Sequence, residues 1–274
     1  MTPQDGFREL HRQGLFVMPN AWDVGSARLL EHLGFAAIAT TSSGFAGTLG
    51  RRDQRVRRDE LLAHVEAMAA AVTIPVSVDS EQCYPDEAGG VARTVQLIAN
   101  AGAAGCSIED YDPARGVLPI DAAAGRVAEA VSAAAPHSLV ITARAENHLY
   151  GVDHLDDTIT RLVAYRDAGA DVLYAPGLAA MADIERVVQE VDAPINVLTA
   201  PGGPPIPELT RAGVRRVSTG GALAWVAYGA LVTAGRELLD QGTTTFLGAL
   251  LDGAVRASAF SDEAPTDGDG GATG

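Results

Sequence analysis

The chain has 274 residues, 47% of them hydrophobic, and a formal charge of -15. Such an acidic balance disfavours nucleic acid and anionic membrane, both of which need basic patches, and no apolar run is long enough to span a bilayer. All 20 basic residues are arginine, so Schiff-base chemistry, which needs a lysine amine, is excluded.

Taken in order, short apolar runs alternate with helical periodicity. A strand is predicted at 15–19, a helix at 23–33 closed by Gly34, a strand at 36–40, a helix at 58–72, a strand at 74–79 and a helix at 87–101 closed by Gly102. The same unit recurs as strand 105–108 with helix 121–134, strand 139–143 with helix 155–168, and strand 172–175 with helix 181–191. It recurs again as strand 195–198 with helix 206–212 and strand 214–218 with helix 222–239. Eight such units argue for an α/β fold, a (β/α)8 TIM-type barrel. An open doubly wound sheet is the alternative, and the lack of a glycine-rich fingerprint after the first strand weighs against it. A further apolar helix is expected at 244–257. The expected organisation is one barrel domain over 1–260 and a disordered tail over 261–274, where Pro265, Gly268 and Gly270 accumulate. The start lacks a signal-peptide pattern, so a cytoplasmic location is expected. Cys83 and Cys106 are too few for a disulfide scaffold.

In such barrels chemistry sits at the C-terminal ends of the strands. Two runs end there in acids, Val76-Ser77-Val78-Asp79-Ser80-Glu81 and Gly105-Cys106-Ser107-Ile108-Glu109-Asp110. Residues two apart in a strand share a face, so Asp79 and Glu81 point together if the strand persists, and Glu109 joins them from a neighbour. Converging carboxylates repel unless protons or a cation intervene. Hard oxygen donors suit Mg2+, with Mn2+ as the alternative. Asp53, in the loop after the second strand, is a candidate outer-shell contact. Arg144 ends the fifth strand and suits a bidentate clamp on a substrate carboxylate. Ser42, Ser43 and Gly44 offer further donors, and Trp22 and Asn196 stand at strand ends as candidate substrate contacts. Cys83 and Tyr84, beside the acids, are the candidates for proton transfer. Against each stands a plainer role: helix-capping or solvated acids, an arginine that only balances them, an ordinary Ser-Ser-Gly turn, a cysteine that fills space.

With these residues in place, the chain resembles the isocitrate lyase / phosphoenolpyruvate mutase superfamily over about residues 7–257. The matching segments are Pro19-Asn20-Ala21-Trp22-Asp23-Val24-Gly25-Ser26-Ala27, Thr40-Thr41-Ser42-Ser43-Gly44, Val78-Asp79-Ser80-Glu81, Gly105-Cys106-Ser107-Ile108-Glu109-Asp110, Ala143-Arg144 and Ser218-Thr219-Gly220-Gly221-Ala222. The resemblance implies a barrel, often a tetramer whose last helix is exchanged between subunits, a Mg2+ ion, and an α-oxo-acid enolate as the common chemical species. It also implies a metal shell of Asp79, Glu81 and Glu109 with Asp53 nearby, a carboxylate-binding Arg144, and an oxyanion grip at residues 42–44. Two departures stand out. Gln82-Cys83-Tyr84-Pro85 replaces the family's Gly-Tyr-Gly pattern, which predicts a different loop path. Tyr111-Asp112-Pro113-Ala114-Arg115-Gly116-Val117-Leu118 replaces both the lyase lid Lys-Lys/Arg-Cys-Gly-His and the mutase lid. The expected function is a Mg2+-dependent lyase that cleaves a C–C bond of a small α-oxo or α-hydroxy carboxylic acid. The partners expected are that acid and further copies of the chain, as tetramer or dimer. The alternatives are a phosphonopyruvate-type P–C hydrolase or mutase, an oxaloacetate-like hydrolase, and a degenerate barrel that only binds an oxo acid.

Overall fold

The computed structural model describes residues 2–261. Eleven α-helices surround a parallel sheet among the described residues. The chain runs α1 (Pro3–Leu10), β1 (Phe16–Met18), β2 (Asn20–Ala21), α2 (Val24–His32), β3 (Ile38–Thr40), α3 (Ser42–Thr48), α4 (Arg58–Ala71), β4 (Val76–Val78), α5 (Gly90–Asn100) and β5 (Gly105–Glu109). A small hairpin follows, β6 (Tyr111–Asp112) and β7 (Gly116–Val117), then α6 (Ile120–Ala134), β8 (Val140–Arg144), α7 (Leu155–Asp167), β9 (Val172–Tyr174), α8 (Met181–Val191) and β10 (Ile195–Leu198). Last among the described residues come α9 (Ile206–Arg211), β11 (Arg216–Ser218), α10 (Ala222–Asp240) and α11 (Gly253–Ala259).

The large sheet has the order β1-β11-β10-β9-β8-β5-β4-β3-β2. Its two outer members, β1 and β2, are separated only by Pro19, which cannot donate to a ladder, so they are two halves of one strand. Asn20 bridges that seam. Its side-chain carbonyl accepts from the amides of Thr219 and Gly220, and its amide donates to the Thr40 carbonyl. The α/β barrel inferred from eight βα units is therefore the fold observed. Between strands and helices lies the main core, with Val65, Val95, Ile98, Ile141, Leu162 and Ile184.

Three elements depart from the sequence-based expectation. Helix α1 was not foreseen: only Phe7 of it is buried. That ring enters the N-terminal end of the barrel beside Ala104, Val140 and Val172, where Gly105 leaves room that a Cβ would take, at 2.8 Å from the ring. The Ser-Ser-Gly turn is the first turn of α3, capped by the Thr41 hydroxyl. The predicted helix at 244–257 is a 3-10 turn at Thr245–Ala249 followed by α11. The expected tail falls, apart from Ser261, outside the described residues. Among the described residues no helix is long and apolar enough to cross a membrane.

Candidate active site

Strand β5 ends at Glu109 and β8 at Arg144, which are paired in register, and Asp79 follows β4 directly. These three ends bring an arginine against three acids. Arg144 places its Nη1 2.9 Å from Asp79 Oδ1 and 2.9 Å from Glu109 Oε1, and its Nε 2.7 Å from Glu146 Oε1. The remaining oxygens of the first two acids are also held: Asp79 Oδ2 accepts from the Ser42 amide at 2.9 Å, and Glu109 Oε2 from Gln54 at 3.2 Å. Tyr174 lies under the guanidinium, its ring centre 5.1 Å from Cζ.

Glu81 reaches this cluster by a route the alternation rule did not describe. The strand stops at Val78, and Glu81 sits in a turn with φ +50. Its carbonyl accepts from the Glu109 amide at 2.9 Å, which continues the contact between the two strand ends. Cys83 (φ +58) and Tyr84 (φ +48) are also left-handed. Glycine takes this conformation freely, whereas other residues pay roughly 1–2 kcal/mol. Strain in that turn is the physical counterpart of the missing glycines.

The electrostatics are those of an over-acidic ring. Burial, then Asp79 and Asp53, push the Glu81 carboxyl up to about 8. Asp53 is raised by burial and by Asp79. Burial also raises Glu109, with Glu146, Asp79 and Glu81 adding to it against the pull of Arg144, and it raises Glu146. For Arg144, burial works to lower the pKa, but Glu109, Glu146 and Asp79 outweigh it and hold the guanidinium firmly charged. One cation thus faces five carboxyl groups.

These residues fit a hard divalent cation by their chemistry. All the donors are oxygens, and Glu81 Oε1 is buried with no partner. They are not a preformed cage: among the described residues no group of three or more acids, histidines or cysteines is arranged to hold an ion directly, because Asp79 and Glu109 are spent on Arg144, Ser42 and Gln54. Mg2+ commonly keeps several waters and takes one or two carboxylates directly, which this arrangement permits.

The ring stands at the wall of a cavity at the C-terminal barrel end, which also takes in Ser42, Ser43, Asp53, Tyr150, Asn196 and Arg216. Of the residues singled out from sequence, Asp53, Asp79, Glu109, Arg144, Ser42, Ser43 and Asn196 line it. Four do not. Glu81 is buried and interacts with Asp79 and Asp53. Trp22 and Gly44 pack on each other beside α10, where a Cβ on Gly44 would lie 2.9 Å from Trp22 Cβ.

Cys83 corrects the expectation made for it. It is fully buried in the main core with Cys106, its thiol near Ser80 Oγ at 3.3 Å and the Ser107 carbonyl at 3.5 Å. That places it behind the strands, away from the cavity. Tyr84 is turned away as well and donates to the Val56 carbonyl at 3.2 Å. The expected oxyanion grip is also partly used up. The Ser42 amide is given to Asp79, the Gly44 amide to Thr41 Oγ1 at 3.3 Å, and Ser43 Oγ accepts from Trp225 at 3.0 Å.

The cavity contains groups to which the sequence reading gave no role. Glu146 is 1% exposed and its Oε2 has no partner; it stands two residues beyond the end of β8, and its place after that strand end was the signal for it. Gln54 comes from an irregular loop and carried no signal. Tyr150 stacks on Tyr111 of the β6–β7 hairpin with ring centres 3.4 Å apart and planes 5° apart, so the segment that differs from the known lids is a hairpin tied to the cavity wall through Tyr150. Arg216 lies on the floor.

The sequence profile of the family described as phosphoenolpyruvate phosphomutase matches residues 7–239. The chain belongs to this family. It is 37% identical over 218 residues to an uncharacterized protein of Mycobacterium tuberculosis, covering 78% of this chain and 81% of that protein. It is 30% identical over 205 residues to the 2-methylisocitrate lyase of Escherichia coli, covering 71% of this chain and 69% of the lyase. A crystal structure from Burkholderia cenocepacia J2315, described as a candidate lyase/mutase, shares 46% identity with a TM-score of 0.90 and covers 94% of this chain and 95% of that one. Family membership makes the chain an enzyme of the phosphoenolpyruvate mutase/isocitrate lyase superfamily. The barrel and its C-terminal-face cavity accord with that family.

Proposed function

We propose that this enzyme is a Mg2+-dependent lyase that breaks a C–C bond of a small α-oxo or α-hydroxy carboxylic acid through an enolate-type species. The observation that carries the reading is the surplus of carboxyl groups around a single arginine, with a buried oxygen of Glu81 left unpaired. Such a surplus favours a dication over an isolated charge. Asp79, Glu81 and Glu109 would hold the ion, directly or through water, with Asp53 beside them. Bound there, Mg2+ would supply Lewis-acid stabilisation of negative charge growing on a substrate oxygen.

The protein's own groups account for the rest. Arg144 is the cation for the substrate carboxylate, and ion binding by Asp79 and Glu109 would free part of its fork for that purpose. Ser42 and Ser43 border the same space and offer hydroxyls. Proton transfer falls to Glu146: Arg144 Nε fixes Oε1 at 2.7 Å, and Oε2 remains free. Burial raises this carboxyl, which brings it nearer to the pH at which a general acid or base works best. The hairpin with Tyr111, stacked on Tyr150, would limit water at the mouth.

The second element of the proposal concerns assembly. Val226, Leu231 and Leu239 of α10 are 69%, 66% and 87% exposed, and Leu247, Leu250 and Leu251 follow them at the surface. Apolar exposure on this scale marks an interface, and further copies of the chain, as dimer or tetramer, are the partners proposed. Light scattering at micromolar concentration tests this; a monomer would refute it.

The decisive test of activity is a product screen by mass spectrometry over a panel of oxo and hydroxy acids, with Mg2+ and with chelator. Two smaller acids from one substrate, formed only with metal, are expected. Phosphate or phosphoenolpyruvate formed from phosphonopyruvate would replace the lyase reading with P–C chemistry, and acetate plus oxalate from oxaloacetate would replace it with hydrolysis.

A further inference from the structure

Arg216 opens β11 at its N-terminal end, 2% exposed, with its side chain inside the barrel. Three neutral acceptors hold it. Its Nε donates to Asn196 Oδ1 at 2.9 Å, Nη2 donates to Thr142 Oγ1 at 2.9 Å, and Nη1 lies 3.2 Å from His11 Nε2. His11 Nδ1 faces the Phe7 carbonyl at 2.8 Å, so Nδ1 carries the proton and Nε2 presents its lone pair to the arginine. The histidine is neutral in this setting, because burial and the adjacent guanidinium depress it to about 3. No carboxylate forms an ion pair with Arg216 among the described residues.

These contacts orient the guanidinium without neutralising it. Burying an unpaired charge is costly, and the lack of a compensating acid is conspicuous in a chain of net charge -15. Arg216 also borders the cavity, so the missing counter-charge can arrive from there. Thr142, which it touches, lies two residues before Arg144 on β8. Two residues of strand place that level roughly 6–7 Å below Arg144, a span matching a short diacid.

We propose that Arg216 is a further anion-binding and specificity-determining residue, taking the second oxyacid group, carboxylate or phosphonate, of a substrate whose first carboxylate is held at the mouth. The proposal rests on reading the cavity as an acid-binding site. Its test reads binding alone, so failure of the C–C cleavage reading leaves it standing.

The experiment is isothermal titration calorimetry of the full chain in Mg2+ buffer near neutral pH. Succinate and 3-phosphonopropionate are compared with butyrate, which lacks the second charge. Wild type is expected to bind at least one of the dianions about 10–100-fold more tightly than butyrate, the worth of a charged hydrogen bond; the tighter dianion identifies the group recognised. Arg216→Gln is expected to collapse that ratio towards one and leave butyrate binding unchanged, which loss of a purely structural tie would not do. Arg216→Lys, which keeps the charge and loses the fork, should retain part of the preference. The proposal is overturned if wild type binds none of the three acids or shows no preference for either dianion, or if a folded Arg216→Gln keeps the preference. Should Arg216→Gln lack the native circular dichroism spectrum, loss of the preference in a folded Arg216→Lys would overturn it.

Discussion

Two arginines enter the same barrel and meet opposite surroundings. Arg144, at the mouth, is ringed by Asp79, Glu109 and Glu146. Arg216, at the floor, is hydrogen-bonded to the neutral groups of Asn196, Thr142 and His11. At the mouth negative charge is in excess and the cation is outnumbered. At the floor positive charge is held in place and left uncompensated. The difference is one of function within a single cavity: an acidic rim suited to a hard cation, above a basic floor suited to an anion.

The largest effect is expected from the mouth. Arg144→Gln would leave three carboxyl groups buried without their counter-charge, at a cost of about 3–5 kcal/mol, the usual penalty for removing one partner of a buried pair. Urea denaturation at pH 7 measures this, and the deficit should shrink in acid as those groups take up protons. Unchanged stability would mean that the ring is already protonated and that the contrast with the floor is weaker than drawn.

Glu81 sharpens the same contrast through pH. Its folded-state pKa of about 8 lies above the ordinary glutamate value of 4.5. The fold therefore binds the proton more tightly than the unfolded chain does. That contribution is complete below pH 4.5 and is lost as the pH rises towards 8, at up to about 1.4 kcal/mol per pH unit. Denaturation of chelator-treated protein across this range should show the decline, and Glu81→Gln should flatten it. Saturating Mg2+ should offset the loss, because the ion favours the ionised ring.

What was legible in the sequence follows the same division. The barrel could be read from alternating periods, and Asp79, Glu109 and Arg144 from their places at strand ends, since those signals are local. Arg216 could not. In Val214-Arg215-Arg216-Val217-Ser218 alternation puts one arginine inward, but a charged residue in a strand ordinarily reads as solvent-facing. Only the contacts with Thr142, Asn196 and His11, the last more than 200 residues away, show that the inward arginine has a seat. Helix α1, which supplies His11, escaped notice because a single residue of it is buried. The turn at Cys83 misled for a different reason: nearness to the acids in sequence says nothing of the face, and the positive φ values turn the thiol away from them.

The floor has its own pH signature, opposite in sign. The folded-state pKa of His11, about 3, lies below the ordinary 6.5. Its contribution is present above pH 6.5 and is lost as the pH falls towards 3. Because many carboxyl groups titrate in that window, the quantity to read is the difference between wild type and His11→Gln. The variant should lose less stability on acidification between pH 6.5 and 4. An identical slope would mean that the histidine is not held neutral against Arg216.

The smallest effect on activity is expected at Cys83. It borders neither the acidic rim nor the basic floor; its side chain is packed with Cys106 in the layer between strands and helices. Cys83→Ala removes one sulfur atom from a filled space, which costs on the order of 1 kcal/mol, seen as a lower urea midpoint. The carboxyl groups, both arginines and the cavity walls are untouched by that change. Turnover of any substrate identified by the product screen should therefore stay within about twofold of wild type, under 1 kcal/mol in barrier. A deeper loss with stability preserved would show that the strained turn transmits the packing behind it to Glu81. In that case the division between rim and floor would need a third member, the layer of core that sets the rim.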